Sequence, residues 1–598
     1  LQPGQLLVQK SSTATQSRPH SVALIHGKAA NDPWTLVIGL DDGSSLRTTV
    51  DPVTGAIGTS VTRRFLGVRP VAVTRMRLDG QSSMMLLSSR SWVGTTQKYA
   101  PLSYLPLDHA TSFSSPAVPE GLVATAGKTL RILSIDTAAL GSRGDDEAFH
   151  AQHVGLRYTP RQMTLLAADR QAVVLAVVES DYNDYGFTGK TGKSAENDDA
   201  MDVDSDEEDN QAKKEGDEDE DDEDEEEKEA HRTVVRGPVP PGPGHWGSCV
   251  RIMSPGDNCK TLDCLELERN EAALCCCSVR FHSKGGEPLL AVGTVTGMSL
   301  YPLKQTASHV ILYRVVGERL QLLHKTTVDD GPILAMAHFQ GRLLVGIGNS
   351  LRLYEMGKRQ LLRKCELKGL PTFCKTLQTA GDRAFVGDMM TSIQIVRYDA
   401  SANRLALIAN DPTPRPIVCQ ELLDWNTVAI GDKFGNISIL RLPTGADTNA
   451  VDFTGQRALW DSTRADITPR LELLCQYYIG EVVTSMTRSA LVAGGPESLI
   501  YVTATGRIGS LVPFGSRDDV DFYTQLESAL RTEAPRPTGR DPRAYRSYYA
   551  PVLHVIDGDL CSSFRTLSYE SQTKVAETLD RTVGEINKKL EDTRNALL

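Results

Sequence analysis

The chain has 598 residues, 40% apolar and 23% charged, with a net charge of −12 and eleven cysteines. The apolar share is enough for substantial cores, and no run approaches the ~18–20 apolar residues of a bilayer span. An odd cysteine count, with Cys275, Cys276 and Cys277 in succession, argues against a disulfide framework and for reduced thiols in a cytosolic or nuclear protein. The chain opens on Leu1 rather than Met, as a fragment or processed product would, and no signal sequence is evident.

In chain order, the first signals are LVIGLDDGSSLRTTV from Leu36 and LVATAGKTLRILSI from Leu122. Each predicts strand, tight turn, strand. An acidic insert follows at about 186–244. Within it, Glu196 to Glu229 carries 22 acidic and 3 basic residues, a local charge of −19 that leaves +7 for the remainder. Like-charge repulsion and lack of apolar residues predict disorder there. Strand-like runs flank it at Val173–Val178 and Cys249–Met253, so it is expected to be a long loop between two strands of one domain.

The strand–turn–strand signal then recurs. LLAVGTVTG starts at Leu289, LLVGIGNSLRLYEM at Leu343, AFVGDMMTSIQIVRY at Ala384, TVAIGDKFGNISILRL at Thr427 and LIYVTATGRIGSLVPF at Leu499. Gly293 to Gly346 is 53 residues, Gly346 to Gly387 is 41 and Gly387 to Gly431 is 44. A four-stranded unit every ~40–50 residues is the spacing of a β-propeller blade. A sandwich would show turns without this longer period. No Trp-Asp dipeptide closes the blades; Trp460-Asp461 falls in a loop-like stretch. From Asp519 to Ala534 the apolar residues Phe522, Leu526 and Leu530 take helical spacing, and three short helices are expected after Asp557. The last opens on Thr582-Val583-Gly584-Glu585, a capping box, and continues through Ile586, Leu590 and Leu597. The fold expected is mainly β, propeller blades followed by a small α-helical domain.

Chemistry is hard to find. Gly189-Lys190-Thr191-Gly192-Lys193-Ser194 resembles the end of a phosphate-binding loop, but the required first glycine is Phe187 and acidic residues follow instead of a helix. No Cys-x-x-Cys pair, His-x-x-x-His pair or Gly-x-Ser-x-Gly elbow occurs. No catalytic residue, metal, cofactor or small-molecule substrate is expected. In RDPRAYRSYYAPV, the residues Arg540, Arg543, Tyr545, Arg546, Tyr548 and Tyr549 mix guanidinium groups with rings. Three roles stay open for them: joining propeller to helices, a protein interface, or stacking single-stranded RNA. Ser205, followed by Asp206-Glu207-Glu208, is a candidate phosphorylation site for an acid-directed kinase.

Specific motifs run in order along the chain. They are LRTTVDPVTG from Leu46, FLGVRPV from Phe65, SSRSW from Ser88, LERNEAA from Leu267 and FQGRLLVGIGNSLRLYEMGKRQLLRKCELK from Phe339. After these come VRYD from Val396, WNTVAIGDKFGNISILRLP from Trp425, GRD and RSYY after Gly539, VIDGDLC from Val555, LDRT from Leu579 and KKLED from Lys588. They resemble the splicing factor 3b subunit 3 family, within a wider group that includes the large damaged-DNA-binding and cleavage/polyadenylation specificity subunits. The resemblance implies three propellers and a helical end. Residues 1–155 would be the last blades of the second propeller, 156–515 the third, and 516–598 the helical domain. It also implies a nuclear, non-catalytic scaffold that holds a helical-repeat large subunit and a small companion subunit for branch-site recognition. Association with small nuclear RNA and pre-mRNA would be indirect. The alternative is an adaptor of a ubiquitin ligase or of another RNA-processing complex. Partner-facing candidates are Arg397, Arg415, Trp425, Lys433, Phe434, Arg543, Tyr545, Arg546, Tyr548 and Tyr549.

Overall fold

The computed structural model describes residues 15–597 apart from 27–33, 96–98, 103–106, 136–153, 168–172, 183–240, 256–258, 445–468, 492–494, 534–540 and a few single or paired positions. The phosphate-loop-like run 189–194, Ser205 and Trp460-Asp461 lie outside the described residues. The described chain consists of antiparallel sheets, mostly of four strands, followed by helices; these are propeller blades with a helical end. Contacts group it into two compact units, one of 1–151, 343–354 and 363–598, the other of 152–342 and 355–362. Among the described residues no helix is long and apolar enough to cross a membrane.

The first unit opens with three sheets. One has strands Pro19–Ile25, Trp34–Leu40, Ser44–Val50 and Thr62–Phe65. The next has Ala72–Leu78, Gln81–Leu87, Ser91–Gly94 and Tyr99–Leu102, and the third is His109–Phe113, Gly121–Ala126 and Thr129–Ser134. After the hairpin that pairs Leu343 with Tyr354 comes a blade of Cys374–Ala380, Arg383–Asp388, Ile393–Asp399 and Arg404–Asn410. Its successor is Ile417–Leu422, Thr427–Asp432, Asn436–Arg441 and Glu472–Tyr478, followed by Val483–Ser489, Ser498–Thr503 and Ile508–Leu511.

The second unit holds a blade of Pro160–Ala167, Val173–Tyr182, Trp246–Ser254 and Lys260–Glu266. The acidic insert leaves one of these strands and returns to its antiparallel neighbour, with Tyr182 opposite Trp246. The flanking strands are therefore as expected, while the tract itself is outside the described residues. The following blade is Glu271–Arg280, Pro288–Thr296, Ala307–Val316 and Arg319–Val328. Here one expectation needs correcting. The strand from Leu289 does not turn tightly into its partner. A small two-stranded excursion, Ser299–Leu300 with Leu303–Lys304, intervenes before Ala307–Val316.

The second strand of a blade lies between neighbouring strands and neighbouring sheets. Arg383–Asp388 and Thr427–Asp432 are buried at every position, which is why they read as continuous apolar runs rather than alternating ones. The periodic glycines sit inside these strands and not in the turns. A Cβ on Gly431 would lie 2.8 Å from Cys419 Sγ and 3.2 Å from Val483, at the start of the next blade. One on Gly293 would meet Cys275 Sγ at 2.6 Å and Ile333 at 2.8 Å. Gly387 is crowded in the same way by Thr376 and Ile417, and Gly39 by Ser21 and Val71. In each case the glycine lets the first strand of its own blade and the start of the next sheet approach closely.

The helical end begins with α1 (Arg517–Glu533), whose Phe522, Leu526 and Leu530 face inward as their spacing predicts. The short α2 (Pro542–Arg546) and α3 (Gly558–Ser562), then α4 (Tyr569–Thr578) and α5 (Val583–Leu597), complete it. Phe522, Leu526, Leu530, Phe564, Val575 and Ile586 share one core. The capping box is made. Thr582 N–H donates to Glu585 Oε2 at 2.8 Å, and Glu585 N–H donates to Thr582 Oγ1 at 3.3 Å.

Candidate functional site

The richest surface in the first unit is built where one blade turn meets α2. In the turn Asp432–Asn436, Asp432 Oδ1 accepts from the N–H of Phe434 and of Asn436, both at 2.9 Å. Asp432 Oδ2 accepts from Asn436 Nδ2 at 2.8 Å. Gly435 has φ +89°, and a side chain there would strike the Glu481 backbone. This pinned turn presents Phe434, 44% exposed, with Lys433 Nζ 5.4 Å from its ring centroid.

Helix α2 starts at a proline behind Asp541, which accepts from Arg543 N–H at 3.1 Å and pairs with Arg531 at 2.5 Å. Its last residue, Arg546, is buried and fastens it to the blade. Nε donates to Asp557 Oδ2 at 2.8 Å, and Nη1 donates to the carbonyls of Tyr478 and Ile479 at 3.2 and 3.1 Å. Arg90 reaches the same carbonyl of Ile479 at 2.8 Å and pairs with buried Glu481, which also accepts from the hydroxyls of Thr503 and Thr505. Gly480, at φ +91°, has no room for a Cβ between the Tyr545 hydroxyl and Arg90.

On this frame five rings touch. Tyr478 lies 5.5 Å from Tyr545, 5.8 Å from Tyr548 and 5.5 Å from Tyr549. Tyr549 lies 5.0 Å from Tyr548 and 5.3 Å from Phe434. Such pairs contribute about 0.5–1.5 kcal/mol each beyond burial. Burial, then the adjoining tyrosines, push the Tyr478 hydroxyl far above its usual range, so it stays neutral. Tyr548 and Tyr549 remain 65% and 53% exposed. The rings pack on one another and form a platform.

The ten sequence candidates do not form one site. Lys433, Phe434, Tyr545, Tyr548 and Tyr549 converge, and Arg543 is exposed on α2. Arg546 and Arg415 were expected to face partners, and the structure corrects this. Both are buried, Arg546 with Asp557 and Arg415 with Asp411. Arg397 is half-buried and bonded to Asp382 at 2.6 Å. Trp425 is exposed, but it belongs to the turn joining the first and second strands of its blade, whereas Phe434 joins the second and third. In an up-and-down sheet those turns lie at opposite ends. Trp425 therefore forms a separate feature, with the buried Arg383 guanidinium 4.8 Å from its ring centroid. Tyr478, Gly480, Arg90 and Glu481 were missed. Tyr478 follows another tyrosine and nearly abuts a glycine, the one available signal; nothing marks Arg90. Among the described residues no three His, Cys, Asp or Glu side chains converge as metal ligands would.

Family comparison adds a separate line. Residues 247–566 match the model described as CPSF A subunit region, and 2–135 match the RSE1/DDB1/CPSF1 second beta-propeller. The chain is 39% identical over 613 residues to splicing factor 3B subunit 3 of Danio rerio, covering 99% of this chain and 49% of that protein. It is 40% identical over 616 residues to spliceosome-associated protein 130 A of Arabidopsis thaliana (100% and 49%). With pre-mRNA-splicing factor RSE1 of Mycosarcoma maydis it shares 38% over 608 residues (99% and 47%). The chain thus spans about half the length of these relatives.

Proposed function

Because the chain belongs to the CPSF A subunit region family, we propose that it is a non-catalytic scaffold subunit of the splicing factor 3b complex, acting in the nucleus in pre-mRNA splicing. It would hold the helical-repeat large subunit and the small companion subunit for branch-site recognition, with small nuclear RNA and pre-mRNA associated indirectly. In this reading 1–155 are the last blades of one propeller, 156–515 a further propeller and 516–598 the helical domain. The splicing names of relatives at 38–40% identity support it over the ubiquitin-ligase alternative.

The observation that carries the reading is the five-ring platform. Tyrosines that bury large area at low entropy cost are typical hot spots of protein interfaces, and a surface already ordered before association reduces the ordering cost of binding. Lys433, Phe434, Arg543, Tyr545, Tyr548 and Tyr549 are the proposed contact residues; Arg415 and Arg546 would act through the turns they hold.

Affinity purification of the tagged full-length protein from nuclear extract tests this. It should recover the helical-repeat subunit, the small companion subunit and the branch-site small nuclear RNA. Recovery of ubiquitin-ligase subunits, or of no stable partner, would contradict it.

A further inference from the structure

The turn between strands Gln81–Leu87 and Ser91–Gly94 is tied down on several sides. Ser88 N–H donates to the Arg90 carbonyl at 2.9 Å, and the Ser88 hydroxyl donates to the Arg69 carbonyl at 2.6 Å. Ser91 Oγ accepts from Leu107 N–H at 3.2 Å, and buried Trp92 donates from Nε1 to the Leu66 carbonyl at 2.8 Å. Arg90 leaves this fixed turn with its side chain 11% exposed and pairs through Nη1 with Glu481, whose side chain is 4% exposed. Its Nη2 donates to the Ile479 carbonyl at 2.8 Å.

The segment that Arg90 grips, 478–481, anchors each part of the platform. Tyr478 is itself one of the rings. Its carbonyl and that of Ile479 accept from Arg546, the last residue of the helix that carries Tyr545. Ile479 N–H donates to the Gly435 carbonyl at 2.8 Å, in the turn that presents Phe434. A Cβ on Gly480 would lie 2.2 Å from the Tyr545 hydroxyl and 2.9 Å from Arg90 Nη2. The guanidinium and the rings therefore meet at one backbone crossing.

We propose that Arg90 is a positioning residue for the docking platform, a strut by which the sheets of residues 19–134 hold 478–481, and through it the rings, in a single arrangement. This rests on the reading of the platform as a docking surface. A planar fork can bond Glu481 and the Ile479 carbonyl at once, which a lysine ammonium, a point charge, does not reproduce. Such a coupling is reciprocal. A partner that orders the rings strengthens the hold of Arg90, and any change in those sheets that withdraws Arg90 loosens the surface.

Fluorine NMR of the full-length protein, with fluorotyrosine placed at Tyr549 and, as a reference, at Tyr569, exposed on α4, tests the strut. Two variants remove the fork without stranding a buried carboxylate: Arg90→Lys, and Arg90→Ala combined with Glu481→Gln. In both, the Tyr549 line should broaden or shift toward its position in the unfolded chain while the Tyr569 line stays in place. A Tyr549 line that stays in place in either folded variant would overturn the proposal and leave Arg90 as the charge partner of Glu481 alone. No partner enters this readout, so its failure is distinct from failure of the docking reading, which shows as a lack of protein crosslinks from position 549 of the otherwise unsubstituted chain.

Discussion

At the scale of single residues, the same residue type plays opposite parts according to burial. Arg415 and Lys433 are both basic residues in blade connections. Arg415 is sealed against Asp411, which also accepts from the Ser392 hydroxyl at 2.5 Å; Lys433 lies over an exposed ring. Removing one member of a buried ion pair leaves an uncompensated charge. Arg415→Ala should therefore cost about 3–5 kcal/mol in urea denaturation, and Lys433→Ala no more than about 0.5 kcal/mol. Asp388 makes a pH-dependent contribution. Burial alone would raise its pKa, but the Thr372 hydroxyl and the N–H groups of Thr391, Met390 and Thr372 outweigh this and hold it below the usual carboxylate range. A depressed carboxyl contributes stability above its ordinary titration range, around pH 4, and that contribution is lost as pH falls through the lowered value. Asp388→Asn should be less stable than the parent at neutral pH, with the gap in denaturation midpoint narrowing in acid. A gap that is constant with pH would contradict this role.

At the scale of elements, the blade repeat was legible because it is written in glycines that recur every 41 to 53 residues. Those glycines are not turn residues; they are packing residues between consecutive sheets. Gly431→Ala should accordingly destabilise by overpacking, about 1–3 kcal/mol, whereas Ala at Gly515, which has open space around it, should change little. Thermal unfolding of the two variants checks the contrast. The helices were legible from apolar spacing and one capping box. The excursion at Ser299–Lys304 was not, because strands of two residues leave no period to detect.

For the whole molecule, the platform shows where reading a sequence stops. Its aromatic residues could be nominated by type, since RSYY and KFGN combine rings with positive charge. Their convergence could not, because it depends on partners far apart in the chain: Arg90 bonds to Ile479 across 389 residues. Residue type also could not separate Arg543 from Arg546, three positions apart on α2, one exposed and one buried. A scaffold holds partners through surfaces that exist before binding, so the direct measurement is at the platform itself. A photo-crosslinking amino acid at Tyr549, in the full-length protein purified with its partners, should form crosslinks to another protein subunit, and the same group at Trp425 should give a different set. Crosslinks from position 549 to RNA alone, or to nothing, would contradict the account of the platform as a protein-docking surface.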